Sequence, residues 1–271
     1  MNGILIVDKK IGETSFDVIR DVRKKYNMKK VGHTGTLDPM ATGVLPILLG
    51  DATKLSDFLM DHDKEYVAIL KLGKKTNTGD SEGEVIEEGK IPKLETSKIE
   101  EVLKEFLGTS MQTPPMYSAI KVNGKKLYEY ARAGEEIERN KRKIEIFKIE
   151  LISYKDDEIE YKVNCSKGTY IRTLCEDISE KLGTVGYMKS LRRTRVGEFS
   201  LEDTGKIFSI EDVMKNRPKY DLKEGEKNQF LNGASIKISL EDGLLRVYFN
   251  NLFIGLGKVE NGKLKRKIVL S

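Results

Sequence analysis

The chain has little of what metal, redox or membrane chemistry needs. Its 271 residues include two cysteines, Cys165 and Cys175, and two histidines, His33 and His62. The cysteines lie ten residues apart, with no partner Cys or His at zinc-ligand spacing, so no metal site is expected. With no signal peptide in view, two such cysteines point to a reducing cytoplasm. The N-terminal apolar run Ile4–Val7 is far too short to span a membrane and reads as a strand. No internal repeat, low-complexity tract or cofactor motif is visible, so neither a cofactor nor a membrane partner is expected. The length suits one large domain or two. No long apolar seam stands out, which makes a monomer the default expectation.

Charge is nearly balanced. Lys and Arg total 48 against 43 Asp and Glu, a formal net charge of +5, which is compatible with a nucleic-acid partner without demonstrating one. Its distribution says more. Lys189, Arg192, Arg193 and Arg195 crowd one short stretch, and Lys141, Arg142 and Lys143 follow Arg139. Charge runs are usually solvated faces. In an RNA enzyme they meet phosphates and make affinity salt-dependent.

Antiparallel strands interspersed with helices, without regular strand–helix–strand alternation, predict an α+β fold. Thr14 reads as a helix N-cap with Asp17 completing a capping box. In the helix that follows, Phe16, Val18, Ile19, Val22 and Tyr26 share one side. A second amphipathic helix is expected over 52–62 and others over 97–107 and 169–182, with strands over 66–72, 143–154 and 158–165. A boundary falls near Asn216-Arg217-Pro218, dividing residues 1–218 from 219–271. Beyond it, strands over 236–240, 244–249, 252–259 and 264–270 are separated by Asp242-Gly243, Asn250-Asn251 and Asn261-Gly262 turns.

The segment richest in chemical meaning is GHTGTLDPMATGVL, Gly32 to Leu45. Its glycines permit tight turns and close approach to a ligand. Pro39 restricts the backbone of Asp38, so one carboxylate is presented on a stiff loop, able to act as nucleophile or general base. A turn-capping Asp would look similar locally.

This segment resembles the catalytic loop of the TruB family of bacterial tRNA pseudouridine-55 synthases, and the likeness extends in blocks to about residue 200. It implies a pseudouridine synthase fold, a mixed and mostly antiparallel sheet flanked by helices and loops. It also implies that Asp38 is the catalytic residue. Gly3 to Ser15 is similar to the family's N-terminal strand–turn–helix and matches Lys9 to a lysine near the active site. Lys10 stands where the family usually has proline. Lys64 to Ala68 matches Tyr66 to the tyrosine that packs on the uracil, aromatic stacking being a common way to hold an unstacked base. Gln112 to Lys121, continuing through Gly134, resembles an insertion, about 111–142, that closes on the T arm. Val163 to Leu174 matches Tyr170 to a pocket tyrosine and Arg172 to the partner of the catalytic Asp. Leu191-Arg192-Arg193 matches a leucine against the site and basic residues near the RNA backbone. The C-terminal strands resemble a compact PUA module, an RNA-binding β-barrel.

The function implied is isomerisation of uridine to pseudouridine at position 55, in the T loop of tRNA. The base is flipped out, and its glycosidic bond is cut and re-formed in an Asp-dependent way, with no cofactor and no obligate protein partner. His33 is placed to occupy or prop the vacated loop space. Lys121, Arg132, Arg142, Arg192 and Arg193 are expected on the RNA backbone, as are Lys258, Lys263, Lys265 and Arg266 in the C-terminal module. Asp38 can attack the sugar C1′, abstract a sugar proton or attack uracil C6, and all three routes remain open. Two other readings stand beside this one: a guide-RNA-dependent synthase of the box H/ACA kind, and a non-catalytic tRNA-binding or folding factor on the same scaffold.

Overall fold

The computed structural model describes residues 1–60 and 62–270. Its frame is a ten-stranded sheet. The strands that matter here are β1 (Gly3–Lys9), β2 (Val31–His33), β3 (Thr42–Leu49), β4 (Lys64–Leu72), β5 (Gly108–Gln112), β6 (Arg142–Lys155), β7 (Glu158–Cys165), β8 (Gly186–Val196) and β9 (Ile207–Phe208). Their spatial order is β9-β1-β3-β8-β4-β7-β6-β5, with β2 added beside β3. The named neighbours pair antiparallel except β3 with β8, where Arg192 lies opposite Thr42 and Arg193 opposite Gly43. The two register shifts in β8, at 188/190 and 193/195, bracket Leu191, Arg192 and Arg193. Bulges of this kind re-aim side chains beside functional sites.

One face of the sheet buries helices α1 (Ser15–Tyr26), α2 (Thr96–Lys104) and α3 (Ile171–Lys181). Thr14 and Asp17 form the capping box read from the sequence. Val18, Ile19 and Val22 are buried with Ser15, but Phe16 is 61% exposed, off the face that those residues share. The helix expected over 52–62 is instead a 3-10 turn, Gly50–Leu55, followed by the short helix Ser56–Met60. Asp61, within that expectation, lies outside the described residues.

The C-terminal strands make a separate five-stranded sheet: Lys219–Asp221, Gly243–Phe249, Leu252–Glu260, Lys263–Val269 and Ile236–Lys237, in that spatial order. Asn250, Asn251 and Asn261 all take positive φ, as tight hairpin turns require. The strand expected over 236–240 is shortened to two residues. Leu256 and Ile268 are buried in the same cluster as Ile4, Ile6, Val44 and Leu48, so this sheet covers the second face of the main one.

Candidate active site

A cleft of about 760 Å³ opens over the middle of the main sheet. Asp38 lies in it on the loop between β2 and β3, partly buried, with its side chain 34% exposed. That loop is tied down on every side. Ser15 Oγ both accepts from the Leu37 N–H at 2.9 Å and donates to the Leu37 carbonyl at 3.2 Å. The Gly12 N–H donates to the Pro39 carbonyl at 2.9 Å. Gly43 takes φ +109, and a Cβ there would sit 2.1 Å from the Arg193 carbonyl oxygen. Glycine is therefore what allows β3 and β8 to meet.

Behind Asp38 stands Arg172, from the first turn of α3, with its side chain only 7% exposed. Its Nη2 lies 3.2 Å from Asp38 Oδ2 and its Nη1 lies 3.5 Å from Asp80 Oδ2. The same guanidinium donates to the Thr78 carbonyl at 3.1 Å and the Tyr117 carbonyl at 2.7 Å. One cation thus serves two carboxylates. Burial, the largest influence, pushes the Asp38 carboxyl above its usual range. Arg172 opposes that rise, Asp80 adds to it, and Lys9 opposes it. Asp80 is buried and fixed by Thr78 Oγ1, which donates to its Oδ1 at 2.6 Å, and by the Glu82 N–H at 3.1 Å.

Tyr66 is almost wholly buried under the cleft. Burial pushes its phenol up, and the nearby Arg193 guanidinium opposes that rise. A phenol held in this way is an aromatic surface and a poor proton acceptor at neutral pH. Tyr170, Leu191, Arg132 and Arg142 also line the cleft. Asp38, Tyr66, Tyr170, Arg172 and Leu191, which come from four segments, are therefore brought together.

Other expected residues sit elsewhere. Lys9 is fully buried, and its Nζ donates to the carbonyls of Lys10 (3.0 Å), Glu13 (2.7 Å) and Pro39 (3.2 Å). An ammonium has three donors, and these carbonyls use all three. Lys9 therefore supports the Asp38 loop and has no donor left for substrate. His33 does not line the cleft. Its Nδ1 accepts the Gly35 N–H at 3.1 Å, and burial pulls its pKa down, which leaves a neutral imidazole. Arg193 corrects the expectation of an RNA-backbone contact. It is 2% exposed, and its guanidinium donates to the Val44 carbonyl at 2.7 Å and the Gly35 carbonyl at 3.2 Å. Alternate residues of a strand face opposite ways, so neighbouring Arg192 points outward, where it forks onto both Asp8 oxygens at 3.2 and 3.1 Å. Lys121 is exposed away from the cleft lining.

Asp80, on the turn Thr76-Asn77-Thr78-Gly79-Asp80, is a site residue that the sequence analysis does not assign. Its signal was a Thr two residues before an Asp in a Gly-bearing turn, the pattern of a side chain that organises its own loop. No group of His, Cys, Asp and Glu able to hold a metal occurs among the described residues.

A mostly antiparallel sheet with one carboxylate on a stiff loop, backed by a buried arginine and with an aromatic ring in the same cleft, fits the class of pseudouridylate synthases. The comparisons agree. The model of the TruB family pseudouridylate synthase N-terminal domain matches residues 23–171. The tRNA pseudouridylate synthase B C-terminal domain matches 172–232, and the pseudouridine synthase II TruB C-terminal model matches 218–270. The chain belongs to the TruB family. It is 42% identical to the tRNA pseudouridine synthase B of Francisella philomiragia, over 98% of this chain and 94% of that one. It is 45% identical to that of Clostridium tetani, over 95% and 96% respectively. Among solved structures, a chain of a Cbf5-Nop10-Gar1 complex superposes with a TM-score of 0.71 at 26% identity, covering 99% of this chain and 84% of that one.

Proposed function

We propose that this protein isomerises uridine to pseudouridine at position 55 of the tRNA T loop. The observation that carries the reading is Asp38, partly open to the cleft and held from behind by Arg172. Nothing is oxidised and no group is gained: the N1–C1′ bond breaks, the uracil turns, C5 is joined to C1′, the C5 proton leaves to solvent and N1 takes one up. Flipping the base out of the loop costs on the order of a few kcal/mol, offset by stacking in the pocket. Tyr66 supplies the stacking face and Tyr170 and Leu191 the walls. Arg172 orients the Asp38 carboxylate. Lys9 and His33 act through the loop backbone.

Residues 1–218 carry the chemistry, and the insertion at about 111–142 closes on the T arm. Residues 219–271 add a PUA-like RNA contact through Lys258, Lys263, Lys265 and Arg266, all exposed. Arg132 and Arg142, exposed at the cleft rim, meet phosphates, as does the outer part of Arg192. The enzyme works as a monomer in the cytoplasm and requires neither guide RNA nor protein partner. The support is identity: the tRNA pseudouridine synthase B relatives stand at 42 to 45%, against 26% for the chain solved with Nop10 and Gar1. No helix among the described residues is long and apolar enough to cross a membrane.

The test is direct. The purified protein alone is incubated with an unmodified T-arm stem-loop, and its nucleosides are mapped by position. Pseudouridine at the T-loop uridine 55 alone is expected. Tight binding without pseudouridine, or product only with an added guide RNA, contradicts the reading.

A further inference from the structure

The insertion is rooted on the segment that carries Tyr170 and Arg172, and Gln112 makes the two-bonded contact of that joint. Gln112 closes β5 and is 5% exposed. Its Nε2 donates to the Tyr170 carbonyl at 3.0 Å, and its Oε1 accepts from the Tyr170 N–H at 2.8 Å. A single side-chain amide therefore satisfies both backbone polar groups of a residue 58 positions away. The Tyr170 N–H is the group that needs such a partner, since the Tyr170 carbonyl also accepts the Leu174 N–H at 3.1 Å. Tyr170 is the N-cap position of α3, extended at φ −97 and ψ 111, with no side-chain cap of its own. Left unpartnered, a half-buried N–H is costly. Two residues on, Arg172 uses one nitrogen, Nη2, for the Tyr117 carbonyl at 2.7 Å and for Asp38 at 3.2 Å. Thr173 Oγ1 adds a longer contact of 3.5 Å to the Thr113 carbonyl.

We propose that Gln112 is a positioning residue for the isomerisation, fixing the start of α3 and with it the place where the Arg172 guanidinium meets Asp38. The inference rests on the function proposed above. Gln112 is not part of the cleft lining, so it works through Tyr170 and Arg172 and touches no substrate. Its chemistry is specific. Methionine fills a similar volume without donor or acceptor, and ionised glutamate keeps the acceptor while losing the donor. Because Gln112 sits at the root of the insertion, its amide joins the element that closes on RNA to the helix that carries Arg172, beside the Arg172–Tyr117 and Thr173–Thr113 contacts.

The experiment compares full-length wild type, Gln112→Met and Gln112→Glu. Single-turnover release of tritium from C5 of T-loop uridine, RNA dissociation constant, melting temperature and the acid limb of the rate profile are measured for each. Misplacing a positioned group by about an ångström costs on the order of a hundredfold. Gln112→Met is therefore expected to lose roughly tenfold to a hundredfold in single-turnover rate, with RNA affinity nearly unchanged. Gln112→Glu is expected to fall between it and wild type, and it carries the test should Gln112→Met fail to fold. The groups facing Asp38 are Arg172, Asp80 and Lys9, with Glu82 close by. Of these, only Arg172 is displaced by the change, so the acid limb moves to higher pH as its cation retreats. A purely structural role for Gln112 would leave that limb where it is. Unchanged rate and acid limb in both variants, or a loss confined to RNA affinity or melting temperature, overturns the positioning role alone. A wild type that releases no tritium overturns the functional reading with it.

Discussion

Arg172 meets Asp38 at 3.2 Å while remaining almost wholly buried, and Asp38 keeps a third of its side chain open to the cleft. The cation is thus nearly closed off from solvent, and the carboxylate is the more open of the two to the cleft. Charge-assisted contact of this kind orients as well as stabilises. Asp80, on the other side of the guanidinium, keeps Arg172 from moving wholly toward Asp38.

Removing the cation exposes that balance. Arg172→Met leaves Asp80 buried without its partner, which should cost about 3–5 kcal/mol of stability. Activity should fall by more than the melting temperature alone explains. In the Arg172→Met, Asp80→Asn double variant, part of the stability should return and none of the activity. Chemical denaturation with single-turnover kinetics on the three variants checks this.

The pH dependence follows from the direction of the Asp38 shift. Burial raises its pKa in the folded protein, and the role proposed for Asp38 needs the ionised form. The acid limb of the rate profile should therefore lie above the range of an ordinary Asp, about 3.9. The stability sign is the reverse of the usual carboxylate. A raised folded pKa means the native state holds its proton more tightly, so this contribution is present at low pH and lost as pH rises through the folded value. Asp38→Asn should then melt at or above the wild-type temperature at neutral pH while losing activity. A clearly lower melting temperature contradicts this.

Much of the architecture is legible in the residues because local chemistry and tertiary context agree there. Thr14 and Asp17 cap α1 as read, and Glu158–Cys165 is a strand to the residue. The stiff Asp38 loop follows from its glycines and Pro39. What stays hidden depends on long-range pairing. Arg193 looks like its neighbours in a basic run until β8 is paired and alternation turns it inward. Lys9 looks like a turn lysine until Pro39, thirty residues on, supplies its third carbonyl. Phe16 looks like a member of the apolar side of α1 until packing selects the face of Ser15, Val18, Ile19 and Val22 and leaves it outside.

Gly43 tests the parallel junction. A Cβ would overlap the Arg193 backbone, and φ +109 is strained for any side chain. Gly43→Ala should cost about 3 kcal/mol and reduce activity by shifting β8 against the Asp38 loop. An unchanged denaturation midpoint contradicts this.

Buried and exposed arginines should separate cleanly. Arg193→Met strips donors from the Val44 and Gly35 carbonyls and should cost about 2–4 kcal/mol, with activity falling alongside. Arg142→Glu, exposed at the cleft rim, should leave stability within about 0.5 kcal/mol. Its T-arm affinity should drop and the salt slope flatten by about one. Titrations at several salt concentrations beside melting curves distinguish the two.

The central claim is that Asp38 carries the isomerisation of the T-loop uridine. Its most direct test is single-turnover tritium release from a T-arm stem-loop labelled at C5, with wild type and Asp38→Asn side by side at matched RNA occupancy. Release by wild type alone, with both proteins binding equally, is the predicted result. Release by Asp38→Asn at the wild-type rate would contradict the account.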